Sequence, residues 1–115
     1  MRTDAPPGGS PAPARFRAEA EEVARRHFAR HPEELERYGE HAMAWCVHDN
    51  QYILDWAAQP YVDFEKEIRW LAGVLGSRGY PLASLADDLE VAAEVVPDLA
   101  ETLRAGAAIV RDLGQ

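Results

Sequence analysis

The segment Trp45-Cys46-Val47-His48-Asp49-Asn50-Gln51-Tyr52 gathers a thiol, an imidazole, a carboxylate and two large aromatic rings in one short stretch. Read as a helix, it belongs to a stripe of Leu35, Tyr38, Ala42, Trp45, Asp49, Tyr52 and Trp56, which recur at alternating spacings of three and four. Every member except Asp49 is apolar or aromatic. A carboxylate on such a stripe needs a partner, a proton, or a place at the edge of the buried face. Cys46 lies one turn before Asp49, so thiol and carboxylate project to neighbouring points. Two readings of Asp49 follow. It is a structural acid that caps a helix or pairs with an arginine such as Arg69, or it waits for a ligand that donates hydrogen bonds. An adjacent face carries His41, Ala44, His48, Gln51 and Asp55.

His27 and His31 stand four apart, the spacing at which two imidazoles can share a zinc ion. However, His31 precedes Pro32 and is expected to leave the helix, and no HExxH motif follows. His41 and His48 are two turns apart, too far for one small ion bound by that helix alone. The expectation is no metal. Nucleophilic catalysis is also unsupported, because Cys46 and His48 at i, i+2 point to different faces. The sequence has no GxSxG elbow and no phosphate-binding glycine loop. A non-enzymatic protein is expected.

The elements that position these residues read as helices. Residues 5–13, APPGGSPAP, cannot form a helix, so residues 1–13 are expected to be a disordered tail and 14–115 one helical domain. A first helix is expected over Ala14–Arg30. A second runs from Pro32, suited to a first helical position, to about Ala58, loosened at Gly39. A third covers roughly Val62–Leu75 and a fourth about Leu82–Val96, and a fifth starts at Pro97. Their inward residues include Ile68, Leu71 and Leu75, then Leu85, Leu89 and Ala92, then Leu103, Ala107 and Val110. No segment alternates as a strand would. The acidic runs Glu19, Glu21, Glu22 and Glu33, Glu34, Glu36 read as solvated faces.

The 115 residues leave room for one core. Twenty acidic side chains against 12 basic ones give a formal charge of -8, which repels phosphate backbones and argues against nucleic acid. The single cysteine excludes an internal disulfide and a multi-cysteine zinc site. No apolar run reaches the roughly 20 residues of a membrane span, and the first residues do not read as a signal peptide. A cytoplasmic protein is expected, and the alanine, arginine and proline content suggests a GC-rich bacterium.

At Cys46-Val47-His48-Asp49-Asn50-Gln51-Tyr52-Ile53-Leu54 the sequence resembles the chromophore-binding helix of phycobiliproteins, which carries Cys-x-Arg-Asp-x-x-Tyr-Tyr-Leu. Cys46, Asp49, Tyr52 and Leu54 match in type and spacing. Val74-Leu75-Gly76-Ser77-Arg78-Gly79-Tyr80-Pro81, followed by Ala86–Val96, is similar to the family's short glycine-proline turn and its next helix. The resemblance implies an all-α, globin-like bundle of about five helices. It also implies a linear tetrapyrrole (bilin) as cofactor, thioether-linked through Cys46. Asp49 would bond the central pyrrole nitrogens, with Trp45 and Tyr52 as aromatic walls. His48 stands where the family has the arginine that pairs with a propionate. The segment between the motif helix and the turn is shorter than in the family, and the helical extension that builds light-harvesting rods has no counterpart. The implied protein is a small bilin-binding globin of the type that accompanies bilin biosynthesis, expected as a homodimer with Tyr38, Met43 and Val47 toward a second copy. The competing readings are a ligand-free dimerisation module of the non-haem sensor-globin type and a haem-binding globin.

Overall fold

A computed structural model describes residues 12–115. Among them there are six α-helices and one 3-10 turn and no strand: α1 (Arg17–Arg30), α2 (Pro32–Tyr38), α3 (Ala42–Ala58), α4 (Phe64–Ser77), α5 (Leu82–Val95), the turn Pro97–Leu99 and α6 (Ala100–Leu113). The fold is all-α. No described helix is long and apolar enough to cross a membrane.

The expected second helix is in fact two. Gly39 adopts φ 82, a left-handed backbone that an L side chain resists, and its N–H bonds Leu35 O to close α2. The single stripe from Leu35 to Trp56 is therefore broken, and only its Ala42–Trp56 part lies on one helix. At the amino end, Phe16 takes φ 66 and α1 starts at Arg17 rather than Ala14. Pro13 was expected in the tail, yet its carbonyl accepts a 3.0 Å hydrogen bond from buried Gln51 Nε2 of α3. Most of the expected tail, residues 1–11, lies outside the described residues.

Helix α5 is central. It packs along α6 and crosses α1, while α1 also lies against α3 and α4 against α6. Its inward residues Leu85, Leu89 and Ala92 join Ile68, Leu71 and Leu75 of α4 and Leu103, Ala107 and Val110 of α6 in one core. The three-and-four spacing had marked all of these. Gly106 lets α6 approach α4 closely, since a Cβ there would lie 2.7 Å from Phe64 Cε2. Val47 is buried in the same core and Tyr38 packs on Tyr80 at 5.6 Å, so two of the three side chains assigned to a dimer face turn inward.

Helix α4 starts at Asp63, whose carboxylate accepts from Lys66 N at 3.2 Å. This cap satisfies one of the orphan amides of the first turn. Asp63→Ala is expected to cost about 1 kcal/mol, a fall of about 4–8 °C in melting temperature for a domain this size. Thermal denaturation followed by circular dichroism checks it; an unchanged midpoint would show that water caps α4 equally well.

Candidate functional site

A cleft of about 260 Å³ opens between α2, α3 and the start of α5. Its wall from α3 is made by Trp45, Cys46 and Asp49, one turn of helix presenting ring, thiol and carboxylate to the same space. Tyr38 and Arg37 come from α2, and Arg78 and Tyr80 from the turn that joins α4 to α5. Three of the five residues singled out from the sequence thus line one cavity. His48 and Tyr52 are not among its lining residues. Their rings contact each other with centroids 5.2 Å apart, and Tyr52 continues to Trp56 at 5.8 Å. His48 Nδ1 lies 3.8 Å from Asp49 Oδ1, so it sits behind the cleft carboxylate. Arg69 bonds Glu65 of its own helix at 2.9 Å.

Below the cleft floor is a buried polar network that the sequence reading did not foresee. Asn50 Nδ2 donates to Asp88 Oδ1 at 2.9 Å and to the carbonyl of Cys46 at 3.0 Å. The Cys46 thiol donates to the same Asp88 oxygen at 3.5 Å. Beside them, Tyr80 OH donates to Glu34 Oε1 at 2.7 Å, and His27 Nε2 lies 3.1 Å from that oxygen. His27 is 0% exposed and Glu34 4%, so the acid read as part of a solvated face belongs to the interior.

Burial and charge set the protonation states. Burial works to raise the Glu34 carboxyl, but the bonds from His27 and Tyr80 and the neighbouring Ser84 outweigh it and hold it at about 2. Burial works to lower His27; Glu34 and the Asp88 charge prevail, and its pKa is raised. Asp88 is the opposite case. Its burial exceeds the help from His27 and Asn50, so its carboxyl keeps its proton more readily than an exposed aspartate. Burial, followed by Asp88 and Asp49, pushes the Cys46 thiol well up. A thiol held in that form is a poor nucleophile. Tyr80 is raised by burial and by the same carboxylates, and stays a neutral donor.

A signal for Asp88 was present in the sequence. It lies three residues after Leu85 and four before Ala92, an acid on an apolar stripe just as Asp49 is. Glu34 offered no such signal, because α2 has only 7 residues and no periodicity to read. Arg37 reaches the cleft from α2 and Arg78 from the α4–α5 connection, which sequence spacing does not bring together. Comparison of the chain with known protein families, with curated proteins and with solved structures finds no match.

Proposed function

We propose that the protein binds an open-chain tetrapyrrole in this cleft, reversibly and without catalysis. The observation that carries the reading is the joint lining of one cavity by Asp49, Cys46 and Trp45 together with Arg37 and Arg78. A bilin presents pyrrole N–H donors, a conjugated face and two propionates. Asp49 suits the donors, Trp45 and Tyr38 the face, and the two guanidiniums the propionates. The arginines take over the propionate role that the phycobiliprotein resemblance would otherwise lay on His48. At about 260 Å³ the cleft is slightly smaller than the usual range of drug-sized sites, about 300–1,000 Å³, so part of the pigment would lie over the rim. Arg37, exposed there, is placed to meet it. The raised thiol of Cys46 favours contact over a thioether bond.

Titration of the purified protein with biliverdin tests this. Binding is expected to strengthen and sharpen the long-wavelength band, because a carboxylate beside the pyrrole nitrogens favours their protonated form. Asp49→Asn should shift that band to the blue, and Arg78→Ala should weaken binding about tenfold, as a lost charge-assisted bond of about 1.5 kcal/mol implies. The pigment is expected to leave on denaturation. If zinc-dependent fluorescence persists on a denaturing gel and vanishes in Cys46→Ala, attachment is covalent after all. An unperturbed biliverdin spectrum sinks the proposal.

The second reading, a ligand-free dimerisation module, draws on Leu35 and Met43, exposed side chains that flank the α2–α3 turn. A dimer mass by light scattering, without pigment uptake, would favour it.

A further inference from the structure

We propose that His27, His31 and Glu34 form a site for one divalent transition-metal ion of the zinc class. The three side chains each offer a ligand atom, and these atoms lie within 4.8 Å of one another. His27 Nε2 is 3.1 Å from Glu34 Oε1, and His31 Nδ1 is 3.7 Å from Glu34 Oε2. Ligand atoms around a tetrahedral zinc, bound at about 2.0–2.2 Å, stand about 3.3 Å apart. Each imidazole therefore already stands near that spacing from one of the two oxygens of the Glu34 carboxylate, which can bind the ion through both. The third edge, between the imidazoles, joins two stacked rings, with centroids 4.7 Å apart and planes at 30°. His31 sits at the surface edge of the cluster, where a ring rotation can shorten it.

Chain geometry explains why the histidines stay together. His31 does leave the helix, with φ -131 at the end of α1, but its N–H still bonds His27 O. Pro32 then opens α2 at once, and Glu34 falls in that helix's first turn, facing back toward both rings.

A second observation points to a ligand independently. Glu34 Oε2 is buried and has no hydrogen-bond partner among the described residues. A buried carboxylate oxygen left unpaired is costly, and a cation is one occupant that satisfies it. The outer surroundings also fit. His31 Nε2 lies 3.1 Å from Asp87 Oδ2 and Nδ1 lies 3.3 Å from exposed Glu33 Oε1, so Asp87 can keep the far N–H while Nδ1 exchanges Glu33 for the ion. This is the carboxylate–histidine–metal arrangement that fixes the tautomer of a ligating imidazole. Two imidazoles and one carboxylate suit zinc or ferrous iron, not the all-oxygen preference of magnesium or calcium. The ion would replace the proton that His27 Nε2 shares with Glu34. Three protein ligands leave a fourth position, and Glu34 and Tyr80 both border the cleft toward which it can open.

The inference does not depend on the tetrapyrrole reading, and its test omits pigment. Full-length protein stripped with a chelator is titrated with zinc chloride in a calorimeter, and one equivalent is expected to bind. His31→Ala, at a partly exposed position at the edge of the cluster that should not unfold the chain, is expected to weaken binding at least tenfold. Asp87→Asn should weaken it about 10–100-fold as an outer-shell loss. His41→Ala, on an exposed residue of another element, should change nothing. Cobalt(II) as a second probe should give visible bands that His31→Ala abolishes. Absence of stoichiometric zinc uptake, or His31→Ala binding as tightly as the parent, would overturn the site.

Discussion

Replacing Glu34 by alanine in the metal-free protein is expected to cost about 3–5 kcal/mol, the penalty of breaking a buried charge pair by removing one partner. The loss falls on two groups at once. His27 is 0% exposed and would be left without its carboxylate, and Tyr80 OH would lose its 2.7 Å acceptor. Set against a typical stability of about 5–15 kcal/mol, such a change threatens the fold itself. Glu34→Gln should cost clearly less, because an amide oxygen can still accept from Tyr80 while the charge opposite His27 is gone. Urea denaturation midpoints rank the three proteins. A cost below about 1 kcal/mol for the alanine variant would mean that Glu34 behaves as the surface acid its neighbours Glu33 and Glu36 are.

That contrast shows where the sequence was legible. Long amphipathic helices announced themselves: Ile68, Leu71 and Leu75 of α4 and Leu103, Ala107 and Val110 of α6 are buried as their spacing required. Asp49 and Cys46 line the cleft because they share a helix, and spacing along one helix is what sequence reports. Glu34 was misassigned because a 7-residue helix flanked by proline and glycine carries too few turns to show a face. The meeting of His27, Glu34, Tyr80 and Asp88 depends on how α1, α2 and α5 cross, which no local pattern encodes. Val47, expected toward a second copy, is buried for a related reason, since which side of α3 meets the core is set by helix crossing. Of the expected dimer residues, Tyr38 alone lost its place on the long stripe at Gly39, whose left-handed backbone turns the chain away.

The same buried groups predict how metal-free stability depends on pH. Glu34 titrates near 4.5 unfolded and at about 2 folded, so its stabilisation is complete above pH 4.5 and is lost as pH falls toward 2. His27 is raised from 6.5, so its contribution is complete below pH 6.5 and lost as pH rises through its folded value. Asp88 is raised from 3.8, so the fold favours its protonated form and loses stability as pH climbs and the carboxyl ionises. Acid loss on one side and loss of two protons on the other place the maximum in mildly acidic solution. Asp88→Asn tests the alkaline branch. The asparagine can still accept from Asn50 Nδ2, and its own amide can donate to Asn50 Oδ1, a buried oxygen with no hydrogen-bond partner among the described residues. No charge is left to desolvate there. The variant should therefore match the parent near pH 4 and exceed it by about 1–2 kcal/mol at pH 8, an unpaired buried group's worth. Urea midpoints measured from pH 3 to 9 with a chelator present decide it. A variant curve parallel to the parent's would show that the Asp88 charge is not what the interior resists.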